Sequence, residues 1–249
     1  MSVTPPRNNF PDCPTCPYLR TGAPALCYGC VVSNAGPVSE HRCPICSQEL
    51  DSPQDRCRNF LCNSQDRSVS RIRAIAMDRY PVSFAVRRAK SYDHRGWAVI
   101  FARLLIGWLD RNATPATYDL IIHNPDYVAP DSRWLGHTAE VLQRAIIEDT
   151  LRIWPIVDPR LKMLTLAGQP TKSQGLDWSG KLAVARERTS LLRLTSPDVF
   201  QGQRVLVFDD LNTTGAQLDA LAGYLLKQGA VDVEGLVIGR APWRPTTSA

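Results

Sequence analysis

The sequence predicts an α/β protein, a mainly parallel sheet with flanking helices, carried behind a small cysteine-rich N-terminal module. Three observations lead there. All eight cysteines of the 249-residue chain fall between Cys13 and Cys62, so its front is built differently from the rest. Beyond them, short apolar runs alternate with stretches of helical apolar spacing, the pattern of strands joined by crossover helices. Late in the chain, the run VLVFDDLNTTGAQ at residues 205–217 passes from a four-residue apolar strand through two aspartates and a hydroxyl-rich turn straight into a helix.

Composition sets the frame. A hydrophobic fraction of 44% suits a globular protein, and the length suits one α/β domain with a smaller appendage. The residues after Met1 lack an apolar core and are rich in proline and asparagine, which argues against a signal peptide. The most apolar run, residues 97–109, is interrupted by Arg103 and too short to span a bilayer. The expectation is a cytoplasmic protein with no membrane insertion. A net charge of +5 hints at polyanion contact without establishing it.

The cysteines fall in pairs: Cys13 and Cys16, Cys27 and Cys30, Cys43 and Cys46, Cys57 and Cys62. Two thiolates a short turn apart reach one tetrahedral ion, so the pairs predict two structural Zn²⁺ sites of four sulfurs each. Disulfides are disfavoured in a cytoplasmic chain. Sequential pairing groups Cys13, Cys16, Cys27 and Cys30 apart from Cys43, Cys46, Cys57 and Cys62, with ten residues between knuckles in each set. A crossed arrangement fits the same spacing, and both stay open at this point. All-sulfur sites leave no open position for catalysis, so the ions are expected to hold together a module of few apolar residues. His41 is read as a solvated residue rather than a ligand.

Residues 63–73 are polar and arginine-rich. With Arg56, Arg58, Arg67, Arg71, Arg73, Arg79, Arg87, Arg88 and Lys90, the region suits contact with a nucleic-acid backbone, and equally a solvated surface. No aromatic ladder for base stacking accompanies it. The boundary is placed so that residues 1–67 form the ribbon module and residues 68–249 the α/β domain.

Within that domain, residues 97–110 read as a helix packed on the sheet and residues 118–125 as a strand bounded by Pro115 and Pro125. A loop to Leu135 precedes a helix over residues 137–150, with Ala139, Leu142, Ile146 and Ile147 inward. Residues 161–167 read as a strand, residues 179–193 as a partly helical basic segment, and residues 231–238 as the closing strand.

The chemistry is expected at the strand-turn-helix run. Asp209 and Asp210 lie at the carboxyl end of a strand, where open α/β sheets bind ligands, and a carboxylate pair there accepts hydrogen bonds from two vicinal hydroxyls. Thr213, Thr214 and Gly215 sit where backbone N–H groups open at a helix N-terminus, which favours a phosphate monoester. The plainer alternative is a strand end followed by a threonine helix cap.

This run resembles the signature of the type I phosphoribosyltransferases, which bind phosphoribosyl pyrophosphate (PRPP) through two acidic residues and a Thr-Thr-Gly turn. The resemblance implies that Asp209 and Asp210 hold the ribose hydroxyls. It also implies that Asn212, Thr213, Thr214, Gly215 and Ala216 cradle the 5′-phosphate, and that Mg²⁺ accompanies the ligand. The whole layout is similar to the ComF family, which joins a double zinc ribbon to a phosphoribosyltransferase-like domain and is associated with DNA uptake. Cys43-Pro-Ile-Cys46 matches that family's layout and supports sequential pairing. Ala89-Lys90-Ser91-Tyr92 resembles its Leu-Lys-Tyr segment, and residues 174–188 occupy the place of its Gln…Arg region. The family implies a DNA or helicase partner contacted through the ribbon. The chain departs from the family at the loop after the first domain strand, His123-Asn124-Pro125-Asp126-Tyr127, with Arg133, Gly136 and His137 beyond. There Arg133 is the candidate pyrophosphate clamp, His137 is read as a residue of the helix N-terminus, and Lys172, Arg186 and Arg188 are candidates for a closing loop. Two functions follow: a PRPP-dependent transferase, or a non-catalytic accessory or PRPP-sensing protein.

Overall fold

The computed structural model describes residues 38–79, 86–87, 96–132, 135–173 and 175–242. Cys13, Cys16, Cys27 and Cys30, which form the first expected zinc site, lie outside the described residues, as do Arg133, Lys90 and Gln174.

Four strands form one sheet in the order β1-β6-β5-β2: β1 (Arg71–Met77), β2 (Leu120–His123), β5 (Arg204–Asn212) and β6 (Asp232–Arg240). Every pairing in it is parallel. A separate antiparallel pair, β3 (Leu164–Leu166) and β4 (Leu192–Leu194), brackets the segment expected to be basic and helical. The fold class is therefore the expected one, with a short antiparallel strand pair added.

The central strands β5 and β6 are buried along nearly their whole length, as continuous apolar runs in parallel sheets require. Alternation along β5 sends Leu206 and Phe208 to one face and Val205 and Val207 to the other. The first face packs against α2 (Trp97–Asn112), which is buried almost all round, and α3 (His137–Glu148). Arg103, the charge that interrupts the α2 apolar run, is fully buried and ion-paired with Glu148 of α3 at 3.2 Å. The second face packs against α5 (Ala216–Lys227), whose Ala216, Leu218, Leu221, Ala222 and Leu225 repeat at helical spacing. α4 (Trp178–Ser190) lies over α5, its N-terminus capped by the Asp177 carboxylate, which accepts from the Gly180 N–H.

β1 was not foreseen. Its residues fall in the arginine-rich stretch read as a phosphate-binding or solvated surface, yet Ile72 and Ala74 point into the core between Arg71 and Arg73. Arg71 is ion-paired across the sheet with Glu234 of β6, its Nη2 at 2.6 Å, whereas Arg73 Nε lies 3.9 Å from the same carboxylate, buried and without a hydrogen-bond partner among the described residues. Arg71 therefore ties the strand pair together.

The cysteine module closes the exposed edge of β1. The Ile72 N–H donates to Ile45 O at 2.6 Å, and the Ser47 hydroxyl donates to Ile72 O at 3.0 Å. An uncovered edge invites pairing with other chains, and the knuckle of Cys43 and Cys46 occupies it. Leu61, from the one-turn helix α1 (Phe60–Asn63) of the knuckle of Cys57 and Cys62, joins the same apolar cluster as Ile72 and Leu218. Among the described residues, no helix is long and apolar enough to cross a membrane.

Candidate ligand site and metal centre

β5 runs further than its apolar residues, through Asp209 and Asp210 to Asn212, so strand alternation continues into the acidic pair. Asp209 falls on the α5 side and Asp210 on the side of α2 and α3. That split gives the two carboxylates different partners. Asp209 Oδ2 accepts from Asn124 Nδ2 at 2.8 Å, and its Oδ1 accepts from the Asp210 N–H at 2.8 Å. Burial, reinforced by repulsion from Asp210, pushes the Asp209 carboxyl up to about 6.

Asp210 Oδ2 lies 2.8 Å from His137 Nε2, and His137 Nδ1 lies 2.9 Å from Asp126 Oδ2. An imidazole that donates from both nitrogens is an imidazolium. Burial alone would lower its affinity for a proton, but the hydrogen bonds to Asp126 and then Asp210 raise His137 to about 10. Asp126 is held below the ordinary carboxylate range: burial opposes this, and the His137 bond overcomes it. The close approach depends on Gly136, because a Cβ there would stand 2.8 Å from the Asp126 Cβ.

Beyond Asn212 the chain turns into α5. Gly215 takes φ +85°, a left-handed conformation that favours glycine, and a Cβ on it would stand 2.4 Å from Leu61 Cδ2. The carbonyls of this turn face the cysteine module. Arg240 donates to Asn212 O at 3.1 Å and to Thr213 O, while Asn59 Nδ2 donates to Thr214 O at 3.0 Å. A trans peptide sets each N–H opposite the preceding C=O, so the N–H groups of Thr213, Thr214 and Gly215 turn the other way, toward a cavity. Among the described residues, none of these three N–H groups has a protein acceptor. Asn212, which also lines the cavity, keeps its Nδ2 buried and without an acceptor among the described residues.

The cavity measures about 440 Å³ and is lined by Asp209, Asp210 and the whole turn from Asn212 to Gln217, with Lys181 and Arg188 of α4 and Asn124, Asp126 and His137 also on its wall. It brings together every acidic and turn residue expected from the sequence. Arg188 also donates to Pro125 O, tying α4 to the loop after β2. Arg186 lines a different groove, and Lys172 is exposed.

The second cysteine set forms its own centre. The sulfurs of Cys43, Cys46, Cys57 and Cys62 all lie within 4.8 Å of one another, with 3.6 Å between Cys43 and Cys62 and 3.7 Å between Cys46 and Cys57. Zinc–sulfur bonds of about 2.3 Å in a tetrahedron put sulfurs about 3.8 Å apart, so the donor set fits a Zn²⁺ ion. This grouping is the one sequential pairing requires. Hydrogen bonds from Cys43, then from Cys57 and Cys62, hold the Cys46 thiol well below its ordinary range, and the Arg240 charge acts in the same sense. The Cys57 and Cys62 thiols are pushed up, in each case first by Cys43. Crowding thus opposes deprotonation of all four thiols at once, and a cation among them would relieve that opposition. His41 is exposed and not among the four ligating residues.

No protein-family model matches the chain, and no curated protein matches it. Among solved structures, it is similar to an orotate phosphoribosyltransferase of Mycobacterium tuberculosis H37Rv, crystallised with Fe(III) dicitrate, at 18% identity and a TM-score of 0.31. The match covers 61% of this chain, and the chain spans 63% of the length of that one.

His137, Asn124, Lys181 and Arg240 were not singled out for these places by the sequence. The sequence marks His137 only as a helix N-terminal residue; its neighbour Gly136 is the local signal of a close approach. Arg240 carried none, since its partners lie 28 and 194 positions away.

Proposed function

We propose that the chain binds PRPP with Mg²⁺ and transfers the phosphoribosyl group to a nitrogen acceptor with release of pyrophosphate. One observation carries this reading: a glycine-hinged turn, whose Thr213, Thr214 and Gly215 N–H groups have no acceptor among the described residues, lines the same cavity as two strand-end carboxylates. The N–H groups of Thr213, Thr214 and Gly215 suit the three outer oxygens of a 5′-phosphate, assisted by the α5 dipole and the Asn212 amide. Ala216 opens the helix beneath it. Asp209 and Asp210 accept hydrogen bonds from the ribose hydroxyls, while Lys181 and Arg188 face the pyrophosphate from α4, a role Arg133 shares on the sequence reading.

In the reaction, the acceptor nitrogen forms a bond to the anomeric carbon as the carbon–oxygen bond to pyrophosphate breaks. The leaving group takes the electron pair, and the nitrogen loses a proton. Asp209, its affinity for a proton raised by burial, is the carboxylate suited to receive that proton. When bound, Mg²⁺ would neutralise charge on the pyrophosphate. The chain's own part is positioning and electrostatic stabilisation of an oxocarbenium-like transition state.

A second reading is favoured by the Asp210–His137 ion pair, which already occupies one of the two carboxylates. It makes the protein a PRPP-sensing or accessory protein of the ComF kind, with residues 1–67 as the ribbon that meets DNA or a helicase. On that reading nucleic-acid contact falls to Arg56 and Arg58, which are exposed, because Arg71 is ion-paired with Glu234 and Arg73 Nε is buried beside it. Calorimetric titration of PRPP with Mg²⁺, followed by a pyrophosphate-release assay across nitrogenous bases, separates the two. Binding with release assigns the transferase, binding without release assigns the sensor, and no binding ends both. DNA affinity that falls steeply with salt, and is lost on neutralising Arg56 and Arg58, would support the ribbon contact.

A further inference from the structure

The turn that faces the cavity has a second side, and the cysteine centre holds it. Arg240, the last residue of β6, is 1% exposed. Its Nη1 donates to Asn212 O, Thr213 O and Ala241 O, its Nε donates to Cys46 O at 3.0 Å, and its Nη2 lies 3.8 Å from Cys46 Sγ. Asn59, between the last two cysteines, uses both ends of its amide. Its Oδ1 caps α1 by accepting from Leu61 N, and its Nδ2 donates to Thr214 O. Leu61 then packs where any side chain on Gly215 would have to go. Thr213 O and Thr214 O are therefore held by side chains bonded to or carried on the cysteine knuckles, while Asn212 O is shared between Arg240 and the Ala241 N–H at 2.9 Å.

We infer that Arg240 is a positioning residue through which occupancy of the four-cysteine metal site sets the shape of the 212–215 turn, so that metal retention and anion binding are coupled. Four crowded sulfurs without a cation lose the cross-link that fixes Cys46 and Asn59. The Arg240 and Asn59 donors then lose their register against the turn. Its peptides become free to rotate, and the N–H groups leave the cavity. Linkage makes the effect reciprocal: an anion that orders the turn raises the affinity for the metal by the same factor by which the metal raises the affinity for the anion. The ligand half of this inference rests on the reading of the turn as a phosphate cradle; the mechanical half does not.

The test uses the full chain loaded with Co²⁺, whose thiolate charge-transfer bands report the sulfur environment, with ribose 5-phosphate as the probe. Saturating probe is expected to shift those bands and to raise the Co²⁺ affinity, read by equilibrium competition with a chelator, by about tenfold. Arg240→Met is expected to abolish both responses, and Arg240→Lys to restore them in part. The amide signals of Thr213, Thr214 and Gly215 in an NMR spectrum should move or broaden on chelation, and also in metal-loaded Arg240→Met, while those of α3 stay in place. If Arg240→Met fails to fold, Asn59→Ala removes the Thr214 contact together with the cap on Leu61 N, leaves the Arg240 contacts in place, and should give a smaller change of the same kind. Turn signals indifferent to both chelation and these substitutions overturn the inference. Turn signals that respond while ribose 5-phosphate neither binds nor shifts the bands support the coupling and overturn the phosphate reading.

Discussion

His137 sits between two carboxylates at 2.8 and 2.9 Å, and this geometry gives the protein a pH signature. Its affinity for a proton is raised to about 10 in the folded chain, from an ordinary value of 6.5. Stability from this group is fully present below pH 6.5 and is lost as pH rises through about 10, because only the folded state keeps the proton in between. His137→Gln should flatten the difference in urea-unfolding free energy between pH 6.5 and pH 10 by on the order of 2 kcal/mol, after allowance for solvent screening. An unchanged pH dependence would mean the imidazole is neutral. At Gly215 the expectation is steric: Gly215→Ala puts a methyl group into Leu61 and Ile72 at a positive φ. It should cost about 2–4 kcal/mol in urea unfolding. A neutral result would contradict the packing of α1 against the turn.

At the scale of elements, α4 supplies the positive wall of the cavity through Lys181 and Arg188. Lys181→Ala should weaken PRPP binding about tenfold, close to 1.4 kcal/mol, and leave the unfolding midpoint almost unchanged, since this side chain is partly solvated. Titration calorimetry and urea unfolding read the two effects separately; equal losses in both would make Lys181 a packing residue. β1 shows how an element escapes a sequence reading. Its alternation of arginine with isoleucine and alanine is the period of a half-buried strand, but the density of positive charge is equally that of a solvated surface. The counter-charge, Glu234, sits on a strand more than 150 positions away.

For the molecule as a whole, the cysteine module acts as part of the core. It covers the β1 edge, contributes Leu61 to the apolar cluster and grips the turn before α5. Metal analysis of the intact protein should find about two zinc ions per chain, falling by one in Cys43→Ser/Cys46→Ser. Because the second site is woven into the sheet edge, chelation should lower the unfolding midpoint of the whole chain in one transition, as followed by the aromatic signal of α2. A separate early transition that leaves the α/β part intact would show the module to be independent.

The sequence by itself determined the parts whose information is local. A continuous apolar run ending in Asp-Asp and Thr-Thr-Gly can only be a buried strand entering a helix through a tight turn, and paired cysteines announce a thiolate cluster wherever they fold. The helices over α2, α3 and α5 were legible for the same reason, since apolar spacing is written within a few residues; the inward face of α3 is nevertheless Ala139, Val141, Leu142 and Ala145, and Ile147, expected inward, is exposed. Tertiary structure alone decided which groups meet across the chain: Asp210 with His137, Asp209 with Asn124, Arg71 with Glu234, and Arg240 with Cys46 and the turn. These pairings depend on strand order and on the face to which each side chain alternates. Neither is encoded in spacing along the sequence, because a parallel sheet brings together residues that its crossover helices keep far apart.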